Sequence, residues 1–326
     1  MRATARQFAR PLAPDGPTRV LLVVIAGLLL AGGAVYNQFF SPAYLLQQLQ
    51  NGAFLGIVAI GAMTVILTGH IDLSVPWTLS AAATFSTAFV TLADGAWWGE
   101  FGLVVGLAIG AGIGLVNGIG VAYLRIPSMI WTLAVNTIVL GICVFHAGLY
   151  AGGSRPSAAM ALLGGGRSLG VVPNAVLVWL ALSLAALFLY RRTLFGRYLY
   201  AVGTREGAAY LSGIDTRAVV AGAFVLSGVA SATAGMLLAG YANQAYQNMG
   251  DPYLLPGIAA VVLGGTSILG GRGAYAGTVA GVLLITLIGS MLSVMQIPEA
   301  WKQIAYGAVI VAMVGAYSRR AATGPH

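Results

Sequence analysis

The chain has 326 residues, 59% of them hydrophobic and only 7% charged. Soluble domains carry roughly 25% charged residues, so a water-facing surface cannot be built from this set and the bilayer is the expected solvent. The net charge of +8 lies in short loops between apolar runs, not on a basic face interleaved with aromatics, which argues against a nucleic-acid partner.

Residues 1–17 hold Arg2, Arg6 and Arg10 and read as a disordered basic tail. The first apolar run, from about Thr18 to Tyr36, is closer to the ~20 residues of a span than to the ~7–15 of a signal-peptide core. It is read as an uncleaved first helix. Later runs predict spans at 44–68, 74–93, 101–124, 127–149, 173–190, 218–240, 255–269, 275–295 and 299–317. The eighth is short for a full crossing. The runs are too long and too uniformly apolar for barrel strands. The expectation is an all-α membrane protein of about ten helices, one transmembrane domain over 18–317 and a short tail at 318–326. The 46 glycines suit helices that approach closely in a membrane.

Ten spans place both termini on one side. With that side inside, all but three of the 16 basic residues fall there; Arg155, Arg167 and Lys302 are the exceptions. Short loops follow this positive-inside asymmetry, so both termini are expected in the cytoplasm. Trp97 and Trp98, between Asp94 and Glu100, suit the outer headgroup level. Cys143 is the single cysteine; it reads as a small buried hydrophobe, and no metal-ligand spacing accompanies it.

Three segments interrupt this pattern. The largest inner loop, 191–217, is too polar to span. Thr204 is expected to cap a short helix through Arg205, Glu206, Ala208, Ala209, Leu211 and Ser212, with Gly213 ending it in a left-handed turn. Such a helix is either a solvated connector or a handle for a soluble partner. The second segment carries Gly69, His70, Asp72, Ser74 and Pro76. Pro76 fits the first turn of a helix, with Ser74 or Asp72 as its cap. Asp72 is read as structural, with a proton relay as the alternative. The third holds Gly264, Gly265, Gly270 and Gly271. It lacks the Gly-Lys-Ser/Thr ending of a phosphate loop, so the chain is not expected to hydrolyse ATP alone. Segments two and three share a local match, Ile66-Leu67-Thr68-Gly69 against Val262-Leu263-Gly264-Gly265. Gly/Pro breaks at matching places can mark a transport pathway. Asn51, Asn117 and Asn136, with Ser227, are polar residues inside spans; each either lines a solute path or bonds helix to helix.

Four blocks, in order, carry a family resemblance. GHIDLSVP at 69–76 resembles GGIDLSVG. Asn117-Gly118 with Arg125-Ile126-Pro127 and Thr132-Leu133 resembles an NG…RLPPFIVTLG block. AVGTREGAAYLSGI at 201–214 resembles AVGGNEEAARLSGI. Asp251, followed by the glycine-rich stretch from Ile258, resembles the late block. From about residue 45 to 317 the chain resembles the permease subunits of bacterial ribose-type ABC importers. The resemblance implies a multi-pass inner-membrane protein that moves a monosaccharide or related polyol without chemistry of its own. It implies a second permease, equal or paralogous, a cytoplasmic ATPase that uses ATP and Mg, and a periplasmic sugar-binding protein. It assigns residues 204–214 to docking in the ATPase. His70 and Pro76 stand where the family has glycine, so hinge freedom is expected to be lower here. The alternatives are a stand-alone ion-coupled transporter, disfavoured because no span carries a central acid, and a membrane enzyme, for which no motif is present.

Overall fold

The computed structural model describes residues 16–35, 38–149, 154–298, 300–304, 306–308 and 311. The chain forms α1 (Gly16–Val35), α2 (Pro42–Leu67), α3 (Val75–Leu92) and α4 (Gly102–Gly118), the last entered through a 3-10 turn and left through a wider π-type turn, Ile119–Tyr123. Then come α5 (Ser128–Leu149), α6 (Ala158–Gly164) and a small hairpin, β1 (Arg167–Ser168) with β2 (Val172–Pro173). The antiparallel register pairs Arg167 with Pro173 and Ser168 with Val172. After these follow α7 (Asn174–Arg192), α8 (Leu194–Thr204), α9 (Glu206–Leu211), α10 (Thr216–Ala242), α11 (Leu254–Leu263) and α12 (Tyr275–Val294).

Cap chemistry accounts for several boundaries. Ser41 Oγ accepts from Tyr44 N at 3.3 Å, and Pro42 occupies the first turn of α2. Asp215 Oδ1 accepts from Ala218 N at 3.1 Å and starts α10. Each satisfies or removes an amide that a helix start leaves unpaired.

Seven helices among the described residues are long and apolar enough to cross a bilayer: α2, α3, α4 with its flanking turns, α5, α7, α10 and α12. The expectation of about ten is therefore met at the level of a multi-helix membrane bundle. The eighth expected span, 255–269, is corrected: helix α11 stops at Leu263, and its 10 residues rise only about 15 Å. Before it the chain enters the bundle through turns and a 3-10 turn, Asp251–Tyr253. Gly250 N donates to Ser80 Oγ at 3.1 Å, and a Cβ on Gly250 would overlap Pro76 O. Irregular backbone is tolerated at membrane depth only where protein surrounds it, as here. The tenth expected span, 299–317, lies largely outside the described residues, as do the tails at 1–15 and 312–326.

Helix ends sort into two groups. At one end Gly271 N donates to Leu67 O at 2.9 Å, Ile71 N to Ser128 Oγ at 3.3 Å, and Arg125 meets Glu206. At the other, Arg155 N donates to Thr91 Oγ1 at 3.2 Å, Ser154 bonds the Ala245 backbone, and Glu100 accepts from Ala158 N and Ala159 N. Successive crossings therefore alternate in direction.

Helix α10 is the centre of the bundle. Along α4, Gly102, Gly106, Gly110, Gly114 and Gly118 recur every four residues and are buried. Residues four apart share a helix face, and this stripe, from Gly106 onward, faces Met236, Ala232, Gly228, Phe224 and Ala221 of α10. At the tightest point a Cβ on Gly110 would overlap Gly228 O, and one on Gly228 would overlap Gly110 O. Lipid supplies no hydrophobic drive between helices, so this backbone approach maximises dispersion contact instead. Outward faces of α5 and α7 carry exposed Ile130, Ile138, Phe145, Leu180 and Phe188, as a lipid-facing surface requires.

Candidate functional site

Helices α2, α9 and α11 end in the same way. Gly69, Gly213 and Gly265 have φ of +83°, +82° and +89°. Gly69 N donates to Ile66 O and His70 N to Val65 O; Gly213 N to Tyr210 O and Ile214 N to Ala209 O; Gly265 N to Val262 O and Thr266 N to Val261 O. Each is a helix stop in which a left-handed glycine redirects the last amides onto orphan carbonyls. The local match between 66–69 and 262–265 seen in the sequence is thus a match in hydrogen bonding.

The turns after α2 and α11 meet. Besides the Gly271–Leu67 bond, a Cβ on Gly270 would lie 2.7 Å from Gly69 N and 3.0 Å from Gly203 O. The end of α8 fits between them: a Cβ on Gly203 would overlap Leu67 O, and one on Gly271 would lie 2.7 Å from Thr204 Cα. Three segments far apart in sequence therefore share one backbone-to-backbone junction, and the chain continues from it directly into α9.

The segment between α2 and α3 is extended, with its amides held by side chains. Leu73 N donates to Thr132 Oγ1 at 2.9 Å and Ile71 N to Ser128 Oγ at 3.3 Å, and in the first turn of α3 Trp77 N donates to Asn136 Oδ1 at 3.3 Å. Ser128, Thr132 and Asn136 stand four apart on α5 and present one polar ridge to a strand-like segment. Asp72 is buried and fully used. Its Oδ1 accepts from Ser74 N at 2.9 Å and Ser74 Oγ at 2.7 Å, and its Oδ2 from Ser227 Oγ of α10 at 2.8 Å. Asn117 Nδ2 donates to Ser74 Oγ at 2.7 Å, while Asn117 Oδ1 is buried without a partner. Buried carboxylates persist when their lone pairs are filled in this way. Pro76 sits in the first turn of α3 as expected and Ser74 holds the cap position, but the side chain of Ser74 does not cap; Asp72 takes its amide instead.

The expected cap at Thr204 is corrected. Thr204 ends α8, and its Oγ1 donates back to Tyr200 O at 2.7 Å; Arg205 is the residue before α9. An ion pair anchors the helix: Glu206 Oε1 lies 2.7 Å from Arg125 Nη1 and accepts from Thr216 Oγ1 at 3.1 Å. Both charged side chains are about half exposed, at 54% and 41%, so the pair fixes position more than it stabilises. Partial burial works against ionisation of Glu206, but Arg125 and Thr216 outweigh it and hold the carboxyl below its ordinary range. Arg125 adopts φ +55°. Burial pushes His70 below its ordinary value, opposed by Glu206 and helped by Arg125; its ring lies 6.3 Å from that of Phe224. Ala209 packs inward while Leu211 and Tyr210 stand exposed at 87% and 69%, giving α9 an apolar outer tip.

The three asparagines separate. Asn117 and Asn136 are taken up by helix-to-segment bonds, whereas Asn51 lines an open cavity between α2 and α12. No group of three or more His, Cys, Asp or Glu among the described residues is arranged to hold a metal. Sequence reasoning missed the place of Gly203, the pairing of Arg125 with Glu206, and Ser128 as a partner of Thr132 and Asn136 in one ridge. The ridge was detectable, because three hydrogen-bonding residues at a spacing of four form one face; Gly203 carried no signal apart from being glycine.

The family described as branched-chain amino acid transport system / permease component matches residues 44–314. The ribose import permease protein of Escherichia coli K12 is 31% identical over 312 residues, covering 95% of each chain. That of Bacillus subtilis 168 is 34% identical over 296 residues, covering 90% of this chain and 88% of its own. The fructose import permease protein of Rhizobium meliloti is 31% identical over 307 residues, covering 92% and 85%. No solved structure gives a significant match.

Proposed function

The chain belongs to the branched-chain amino acid transport system / permease component family, and from that premise we propose that it is the permease subunit of an ATP-driven importer for a monosaccharide or related polyol. The observation that carries the substrate class is the identity of 31–34%, across at least nine-tenths of this chain, to permeases named for ribose, fructose and galactose import. In this reading two permeases, equal or paralogous, form one pathway in the inner membrane. They cross it ten times each, with both termini cytoplasmic. A cytoplasmic ATPase uses ATP and Mg, and a periplasmic binding protein delivers the sugar. The exposed tip of α9 at Tyr210 and Leu211 docks on the ATPase.

The junction supports a mechanism for coupling. Displacing α9 moves the end of α8, which is wedged against Leu67 and Gly271. Both glycine turns receive the push together, and through them α2, α3, α11 and α12. The switch needs ATP to favour one state over the other, since equal affinity for both shifts nothing. Asp72 supports a structural part rather than a proton relay, because its oxygens already accept three hydrogen bonds. Its replacement by Asn would then leave the pH profile of uptake unchanged.

Reconstitution tests the reading. In proteoliposomes holding permease, ATPase and binding protein, a labelled pentose or hexose accumulates only with internal-face ATP. Accumulation by the permease alone under a proton gradient would contradict it.

A further inference from the structure

A cavity of about 530 Å³ opens between α2, the start of the broken span at Asp251–Tyr253, α12 and the segment holding Lys302 and Tyr306. It lies at the end of the bundle opposite the glycine junction. Its size falls within the ~300–1,000 Å³ of small-molecule sites.

Two helices face it with the same pattern. Tyr44, Gln48 and Asn51 of α2 and Thr286, Ser290 and Ser293 of α12 both follow the spacing i, i+4, i+7, one face of a helix. Every one of these side chains carries a hydroxyl or an amide. Gly289 lies among them and leaves room on α12. Tyr44 Oη bonds Ser290 Oγ, and Lys302 Nζ donates to Ser293 Oγ at 2.9 Å. Thr286 Oγ1 is different: it is buried and has no hydrogen-bond partner. Gly52 lets α2 approach it, since a Cβ there would lie 3.2 Å from Thr286 Oγ1. That oxygen has almost no accessible surface and packs against Gly52 behind the cavity wall, so it closes the contact between α2 and α12 and is not a group that a solute reaches.

The charge balance narrows the ligand. Among the described lining residues Lys302 is the one cation and none is a carboxylate. The ammonium group of an amino acid would meet no anion among those residues and a lysine nearby. A neutral polyol needs only groups that both donate and accept, which hydroxyls and amides provide. The rings of Tyr44, Tyr253 and Tyr306 add apolar faces for its C–H surfaces.

We propose that this cavity is where the permease itself contacts its solute, a neutral polyhydroxylated molecule, held by Gln48 and Asn51 on one side and Ser290 on the other. The assignment rests on the sugar-import reading.

The test uses the complete transporter in proteoliposomes with labelled ribose, xylose, fructose and galactose as probes, and leucine as the contrast. If wild type accumulates leucine and none of the sugars, both the sugar reading and this assignment fall. Where wild type accumulates a sugar, Asn51→Leu and Gln48→Leu should lower its uptake about tenfold, and Asn51→Ser, which keeps a hydrogen-bonding group, should restore part of it. Uptake by Asn51→Leu equal to wild type would overturn the cavity assignment and leave the sugar reading standing. Poor folding of those variants is met by a second measurement. Ser293→Cys should react with a water-soluble thiol reagent more slowly when the imported sugar is present in excess, while Arg167→Cys on the exposed hairpin reacts at one rate throughout. Cys143 is buried and does not compete. Equal labelling of Ser293→Cys with and without sugar would also overturn the assignment.

Discussion

Two glycine-rich regions of this bundle use the same residue for opposite ends. In the seam between α4 and α10, glycines sit inside regular helix, and the missing side chain lets Gly110 and Gly228 touch backbone to backbone. In the junction, Gly69, Gly265, Gly270 and Gly271 stand at positive φ, and Gly203 sits where two turns cross. The seam binds two helices into one body along their length. The junction joins three chain segments at a point, so it can pass on a displacement from α9. A composition of 46 glycines does not distinguish these roles; backbone angle and the identity of the opposing atom do.

The largest effect is expected in the seam. Gly110→Leu must push side-chain atoms into Gly228 O, where the opposing atom is backbone and cannot rotate away. Overpacking a close-packed site costs roughly 1–3 kcal/mol for added methylenes and more where backbone is struck. Loss of monodisperse protein on size exclusion in detergent is the expected outcome. A variant as stable as wild type would mean that α4 and α10 are not locked together.

Next comes Asp72. Asp72→Ala orphans Ser74 and Ser227 at once, and a buried polar group left unpaired costs about 1–3 kcal/mol. Thermal unfolding should shift down markedly, and Asp72→Asn should recover part of the loss. If both variants melt like wild type, the segment after α2 is held by α5 alone.

A smaller effect is expected from pH. His70 has a lowered value in the folded chain, so the stability it contributes is complete above its ordinary 6.5 and is lost as pH falls below it. Glu206 is also lowered, so the Arg125 pair is fully present above the ordinary 4.5 and is lost as pH falls through the lowered value. Both losses run toward acid, in separate windows. His70→Gln should flatten the melting temperature between about pH 7 and 5 and leave the loss below that range intact. A slope unchanged by His70→Gln would move the titrating group elsewhere.

Much of the bundle was legible in the sequence because membrane spans are long apolar runs. The starts and stops of α2, α3, α5 and α7 fall within a few residues of the expected ones. Helix α11 was overextended because Thr266, Ser267 and Leu269 continue the low-charge run, and hydropathy does not see the left-handed turn at Gly265. Within the candidate site, the left-handed turn at Gly213 was legible because a glycine just past the end of a helix has one common conformation. Thr204 was misread because a threonine can bond forward to start a helix or back to Tyr200 O to close one, and only the bend at Arg205 decides. The convergence of Gly69, Gly203 and Gly271 was out of reach, since nothing local states which turns meet in space.

The most direct measurement of the coupling claim compares two glycines four residues apart. Gly203 is wedged against Leu67 O and Gly271 N, whereas a Cβ on Gly207 meets nothing within 4 Å. In proteoliposomes with ATPase and binding protein, sugar imported per ATP hydrolysed is measured for Gly203→Ala and Gly207→Ala. The expected result is a wild-type ratio for Gly207→Ala, whose helix gains about 0.5–1 kcal/mol, and a ratio several-fold lower for Gly203→Ala with hydrolysis retained. Equal, wild-type ratios in both variants would contradict transmission through the junction.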